Sequence, residues 1–309
     1  MTLLFPLVSN GQCFVSYNPA GYKHNESIMI FERYPNSDNY AGFQIGHCID
    51  TSTLVFSNQY RLIEGFLYKY EAGKMIKSNQ QILFSGESES VYKAKNRADF
   101  SGGWHGDEQC KRVQFYINGK PYQFSSNVEL LSCKEFRYEQ ESTIHETAKT
   151  VNGVVTPNSA HPVEAIHFKS TTFKNVGYET LNRLTWQNSV DVDFWFMGIA
   201  CVGKVSATTL YNEKDKTVYN YTGSGKTPMN NVKGAKELFY SNDSTGLSAH
   251  VISTLLLPKN QDENCLLKAW DRDKDSKYYR WYKQEKYPEK GEIWESSMTV
   301  SFFATENRK

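Results

Sequence analysis

The sequence predicts an all-β fold of stacked antiparallel sheets, and three observations lead there. Short β-branched or aromatic runs bounded by turn residues recur along all 309 residues. No segment carries an apolar stripe at helical spacing long enough to cover a parallel sheet. Asn118-Gly119 sits between alternating runs and supplies the two positive-φ positions of a type I′ hairpin.

The strand candidates, in order, are IMIFERY (28–34), RVQFYING (112–119), AIHFKSTTF (165–173), DFWFMGIACVGKV (193–205), HVISTLLLP (250–258) and SMTVSFFA (297–304). AIHFKSTTFKNVGYETLNRLTW reads as two strands joined near Asn175-Val176-Gly177. The nearly unbroken apolar run around Trp195 to Val202 suits a central strand covered on both faces. The best helical candidate is KGAKELFY (233–240), about two turns. The mixed-charge stretch 268–292 reads first as a solvated hairpin and second as the rim of a substrate site. No repeat, low-complexity tract or Pro-rich linker divides the chain, so residues 1–309 are expected to form one domain.

Lys plus Arg number 35 and Asp plus Glu 34. A balance this close provides no global field for nucleic acid, and a charged partner must be met by a local patch. Six dispersed cysteines with no C-x-x-C are expected as buried thiols. The opening MTLLFPLV lacks a basic n-region and is too short to span a bilayer. Cytoplasmic synthesis without membrane insertion is expected, with release or mounting on a virion left open, as is a homo-oligomer. With 20 Tyr and 6 Trp in a chain of negative mean hydropathy, many rings are expected to be part-exposed, either as a Tyr-rich β surface or as plates for stacking on sugar rings.

Two motifs fail on inspection. Gly225-Lys226-Thr227 resembles the tail of a phosphate loop, but its first glycine position holds Asn220 and Pro228 follows. His145-Glu146 lacks the second histidine of a zinc protease, since position 149 is Lys149. The turn DFSGGWHGDEQC (99–110) survives. Gly102 and Gly103 permit positive φ or close approach, Trp104 offers a stacking plate, and His105 can move a proton near neutral pH with Asp107 or Glu108 fixing its tautomer. The same residues also read as a turn whose polar groups only bind backbone. A metal on His105, Asp107 and Glu108 would have one nitrogen ligand, so neither metal nor cofactor is expected.

His167 alternates in phase with Lys169 and Thr171, which puts it on the polar face of its strand, where a long ligand can lie. His145 and His161 flank a probable loop, and His145 and His167 would matter if they met His105. Trp104 is expected to share a groove with at least one of Trp186, Trp195, Trp270 or Trp281, Trp195 being the one best suited to the core.

The Gly-Gly turn carrying His105-Gly106, the following strand and the run TFKNVGYETLNRLTWQNSVDVDFWFMG together resemble galactose-mutarotase-like β-supersandwich proteins, a group with sugar epimerases and polysaccharide-lyase domains. The likeness covers roughly residues 90 to 205. HGDE after a Gly-Gly turn is also similar to proteins of phage tail and prophage regions. The resemblance implies a β-supersandwich rather than a jelly roll, a carbohydrate-facing groove, a polysaccharide or oligosaccharide partner, and His105 at the family's His-Gly position. An epimerase's second His-Pro-aromatic motif is missing, for Phe194-Trp195-Phe196 stands there and His161-Pro162 precedes the strand pair. That leaves a lyase acting on a uronic-acid glycan by β-elimination as the leading expectation, with a non-catalytic glycan-binding or tail module next and an epimerase last. Elimination needs a carboxylate partner, a base and an acid. Asn96 or Arg97, His105 and Tyr178 are the respective candidates.

Overall fold

The computed structural model describes residues 13–304, less 52–55, 85–88, 96, 98, 104–106, 148, 152–153, 157–159, 221–222, 224, 228 and 284–286. The strands in chain order are β1 (Cys13–Tyr22), β2 (Asn25–Arg33), β3 (Asn39–Thr51), β4 (Phe56–Glu71), β5 (Lys74–Leu83), β6 (Val91–Ala94), β7 (Asp107–Ile117) and β8 (Lys120–Tyr122). Next come β9 (Val128–Cys133), β10 (Phe136–His145), β11 (Lys149–Val151), β12 (Val154–Thr156), β13 (Val163–Phe173), β14 (Gly177–Trp186), β15 (Val192–Gly203) and β16 (Thr209–Asn212). The last are β17 (Thr217–Asn220), β18 (Met229–Lys233), β19 (Glu237–Asn242), β20 (Leu247–Leu257), β21 (Cys265–Asp271), β22 (Asp275–Tyr282) and β23 (Ile293–Ala304).

The fold is all-β, as the patterning predicts. One antiparallel sheet runs β17-β16-β19-β20-β23-β14-β13-β10-β7-β8. The other runs β9-β1-β2-β3-β4-β5-β15-β22-β21-β18, with β6 also on β15. A single parallel bridge, Asn58 to Gln109, ties β4 to β7. The sheets pack face to face: the Phe43 ring on β3 lies 5.5 Å from Phe173, 6.1 Å from Tyr178 and 6.0 Å from Phe302.

Both predicted turns close as expected. Asn118 and Gly119 take φ of 54° and 75°, joining β7 to β8. Asn175 and Val176 take 57° and 58° between β13 and β14. For a β-branched residue that is a strained conformation. It is held by Phe302 N–H donating to the Val176 carbonyl (2.8 Å) and by Gly177 N–H donating to the Glu32 carboxyl oxygen (2.6 Å).

Two expectations fail. Residues 233–240 are not helical: β18 ends at Lys233 and β19 begins at Glu237, because Leu238 and Tyr240 alternate into the core. The stretch 268–292 is no solvated hairpin over its first half, since β21 and β22 are internal strands that bury Tyr278, Arg280 and Tyr282.

The interior is divided. One apolar lobe gathers Phe43, Phe136, Phe173, Tyr178, Val251, Val300 and Phe302. A second gathers Ile144, Ala165, Leu184, Trp186, Trp195, Leu255, Tyr282 and Trp294. Between them the inward positions turn polar on strand after strand: Gln140 and Ser142 on β10, His167, Lys169 and Thr171 on β13, Thr180 and Asn182 on β14, Ser253 on β20, Arg280 on β22 and Ser296 on β23, all buried. Apart from the Ser253 hydroxyl, which finds no hydrogen-bond partner among the described residues, this polar belt is hydrogen-bonded, as burial demands. Lys169 Nζ donates to the Tyr60 carbonyl (2.9 Å), Arg280 Nε to the Ala235 carbonyl (3.1 Å) and Ser296 to the Met197 carbonyl (3.1 Å).

All six cysteines are free and five are buried. Among the described residues no helix is long and apolar enough to cross a membrane, and no group of His, Cys, Asp or Glu is placed to hold a metal.

Candidate functional site

A groove of about 450 Å³ lies against the outer face of the β15-β22-β21 sheet. Alternation builds it. On β22, Ser276, Tyr278, Arg280 and Tyr282 point inward, so Lys277, Tyr279 and Trp281 share the outward face. On β15, Trp195 and Met197 fill the core while Phe194 and Phe196 face the groove. Lys268 on β21 stands opposite Tyr279. Asn230 and Asn231 come from an irregularity in the β18–β21 register, where Asn231 takes φ 57° and turns the pair toward the opening.

Phe196 is the hub of the aromatic wall, 5.1 Å from Phe194, 5.8 Å from Phe100, 5.5 Å from Tyr279 and 5.8 Å from Trp281. Lys277 Nζ lies 4.6 Å above the Tyr279 ring and Lys268 Nζ 6.0 Å from it. Burial pushes the Lys277 ammonium down to about 8 and the Tyr279 hydroxyl well up, so the tyrosine stays a proton donor.

The glycine turn forms the edge of this groove. Ser101 exchanges two backbone hydrogen bonds with Tyr92 on β6 (2.9 and 3.0 Å), which sets Phe100 into the wall. Gly102 and Gly103 take φ of 83° and 58°. A Cβ at Gly103 would stand 2.2 Å from a Glu89 oxygen, so glycine is required twice over. The turn is not a loose surface loop, for Ser101, Gly102 and Gly103 are buried. Gly103 N–H donates to Glu108 (3.0 Å) and Gln59 Nε2 donates to its carbonyl (2.6 Å).

Asn96, Trp104 and His105 lie outside the described residues, as does the Asp107 side chain. Glu108 is 1% exposed and faces His167 (3.0 Å) and Gln140 as well as Gly103. Burial alone would raise its carboxyl, but His167, Lys169 and the Gly103 N–H hold it well below the usual carboxylate range. That corrects its expected role: Glu108 anchors the turn from within.

His167 is also inside, its second nitrogen 3.2 Å from Asn182 Oδ1, because the polar face of β13 is the buried face. A ligand lying on the sheet does not reach it. His145 sits on the other face of β10, between Thr143 and the His161 carbonyl, so His145 and His167 do not converge.

Arg97 forms a two-toothed pair with Glu164, which also accepts from Tyr92 (2.5 Å), and lies 3.4 Å from Glu146. Its charge is taken up. Tyr178 and Trp186 are corrected as well: each is at most 2% exposed, Tyr178 among Phe43 and Phe173 and Trp186 among Tyr92 and Trp294. Both are core positions. Of the four partner tryptophans, Trp281 lines the groove, Trp195 is core, and Trp270 donates to the Gly225 carbonyl (2.9 Å). Phe194 and Phe196 escaped the sequence reading as site residues, and Lys277 and Tyr279 enter it only within 268–292, the stretch read second as a substrate rim. The signal was the two-residue spacing in K-Y-Y-R-W and F-W-F.

No protein-family model matches the chain, and no curated protein matches it. Among solved structures it is similar to an α-galactosidase from Lactobacillus brevis (TM-score 0.45, 7% identity, 88% of this chain and 39% of that one). It is also similar to a glycoside hydrolase family 97 enzyme from Pseudoalteromonas sp. strain K8 in complex with acarbose (0.39, 7%, 88% and 35%) and to heparinase III (0.36, 5%, 90% and 35%). The chain thus spans about two fifths or less of each of these proteins. Likenesses this faint carry no functional weight.

Proposed function

We propose that the chain acts as one carbohydrate-binding domain that takes an acidic polysaccharide along the aromatic groove, with β-elimination from a uronic acid residue as its chemistry. The observation that carries this reading is the placing of two lysines and two asparagines on a wall of five aromatic rings, while the lining carboxylate, Glu89, is paired with Arg61 at 3.0 Å. Aromatic faces stack on the apolar faces of sugar rings, and ammonium groups neutralise carboxylates. Lys268 and Lys277 take the carboxylate role first assigned to Asn96 and Arg97. His105, two residues beyond Gly103, remains the proposed base. It removes the C5 proton as the C4–O bond breaks and the C4–C5 double bond forms, while Tyr279, in place of Tyr178, gives its proton to the leaving oxygen.

A second reading has its own support. With Arg97, Tyr178 and His167 held in structural contacts, the groove is equipped to bind without reacting, as a glycan-binding module of a phage tail or cell-surface assembly would. Incubation with a panel of polyuronates separates the two. Ultraviolet absorbance of an unsaturated uronate supports the lyase, whereas quenched tryptophan fluorescence without product supports the module. If no acidic glycan perturbs the fluorescence, and Trp281→Ala behaves like the parent, the groove is not a glycan site.

A further inference from the structure

A second opening, a cleft of about 710 Å³, enters between the two sheets where β1, β2 and β4 face β7 and β8. It shares no lining residue with the groove. Among its described lining residues Glu26 is the charged one, and Tyr17, Tyr60, Tyr122 and Phe124 supply aromatic surface beside it. The Tyr60 hydroxyl donates to Glu26 Oε1 (2.7 Å) and the Tyr17 hydroxyl to Oε2 (3.2 Å). Behind the carboxylate, His47 stacks on Tyr60 at 4.4 Å, with Nδ1 3.5 Å from Glu26 Oε1 and Nε2 2.7 Å from Asn58 Oδ1.

Both imidazole nitrogens therefore face acceptors, which suits the doubly protonated ring. The hydrogen bond from His47, reinforced by the tyrosines against the effect of burial, holds Glu26 below the ordinary carboxylate range. The Glu26 side chain is still 31% exposed. Two phenols and an imidazole leave lone pairs on its oxygens for a ligand, since a carboxylate accepts about four hydrogen bonds.

We propose that this cleft is a binding site for an amino sugar. A protonated amine meets Glu26 and the neighbouring ring faces, a carboxylate-plus-aromatic setting that favours cations. The sugar ring lies against Tyr122 and Phe124. Gln114 Nε2 already donates to the Phe115 and Tyr122 carbonyls (2.9 and 3.4 Å), so its amide oxygen is the end left to accept a hydroxyl. The cleft volume is that of a small-ligand site rather than a bare cation pocket. Glu26 offers a uronate carboxylate an acceptor where it needs a donor, whereas the groove offers ammonium groups, so the two openings suit different sugars. The inference stands without the groove reading, because no residue is common to both.

The test is calorimetric titration of the whole chain with glucosamine, N-acetylglucosamine, glucuronate and methylammonium. Glucosamine should bind at least about tenfold more tightly than N-acetylglucosamine and glucuronate, since one charge-assisted contact is worth about that factor, and more tightly than methylammonium, which has no ring to lie against Tyr122 and Phe124. Glu26→Gln should abolish the preference. Tyr122→Ala, at a partly exposed wall, should weaken glucosamine binding with the melting temperature unchanged, which covers the case of a misfolded Glu26 variant. Lys277→Ala should leave glucosamine binding as it is. Equal affinity for the acetylated sugar or for methylammonium overturns the proposal, as does no measurable glucosamine binding or its loss in Lys277→Ala.

Discussion

The polar belt and the outer groove are made from the same sequence pattern and do opposite things. On β13, His167, Lys169 and Thr171 alternate with Ile166, Phe168 and Ser170, and the polar set points inward. On β22, Lys277, Tyr279 and Trp281 alternate with Ser276, Tyr278, Arg280 and Tyr282, and the set with the lysine points out. Alternation fixes which residues share a face. Which face is inside depends on the opposing sheet. Glu108 from β7 and the Tyr60 carbonyl from β4 supply partners for His167 and Lys169, so burial of a histidine and a lysine is tolerated there.

The comparison breaks most readily at Glu108. Removing one member of a buried pair leaves the other unpaired, at a cost of about 3–5 kcal/mol. Glu108→Ala should therefore lose that much in chemical denaturation, because His167 and the Gly103 N–H lose their acceptor together. Trp281→Ala, on the groove wall, should lower stability by no more than about 2 kcal/mol and cut acidic-glycan affinity roughly fivefold, the effect of about 1 kcal/mol of stacking. A Glu108→Ala protein of parental stability would mean that the belt is not a structural network.

Acid and base should pull the interior in different directions. Glu108 has a depressed carboxyl, so its contribution is present above the ordinary carboxylate range and is lost as pH falls below it. Glu32 is the reverse. Burial, against the Gly177 N–H, pushes its carboxyl from 4.5 up to about 8, so the folded state holds a proton that the unfolded chain releases, and stability declines as pH rises across that interval. Glu32→Gln should flatten the decline, read as the denaturation midpoint at pH 5 and at about pH 8. An unchanged slope would place the titration elsewhere.

Much of this was legible beforehand and some was not, for physical reasons. Hairpins at Asn118-Gly119 and Asn175-Val176 are local, set by a few dihedral angles, and both are read from neighbouring residues. The glycine need at 102–103 is local too, although Glu89, the group that a Gly103 Cβ would strike, is not near it in sequence. Tyr178 and Trp186 misled because an aromatic residue with a polar atom suits a core as well as a groove, and only packing against Phe43 on the other sheet or Trp294 on β23 decides. Arg97 misled because its partners, Glu164 on β13 and Glu146 just past β10, are distant in sequence.

The groove side of the comparison is sharpened by pH. Lys277 is held down to about 8 by burial, so its charge is present below that value and lost above it. Affinity for an acidic glycan should fall as pH rises through about 8, by no more than about tenfold, since a single partly screened ion pair is at stake. Lys277→Arg, which stays charged across the range, should remove the dependence. A binding curve flat in pH for the parent would take Lys277 out of ligand contact.

The smallest expected effect tests the inverted face of β13 most directly. Ile166 is the apolar neighbour of His167, and a reading by hydrophobicity alone would bury it and expose the histidine. In the structure Ile166 is half-buried on the outward side and His167 is 2% exposed. Ile166→Thr keeps a β-branched shape suited to a strand and trades a partly wetted ethyl group for a hydroxyl. It should change stability by no more than about 1 kcal/mol. His167→Leu, which gains hydrophobicity at the next position, should instead cost about 3 kcal/mol or more, because Glu108 is left buried beside an apolar side chain. Denaturation midpoints for the two variants measure both. If Ile166→Thr proved the more damaging, β13 would face the other way and the polar belt would dissolve into an ordinary solvent-facing strand.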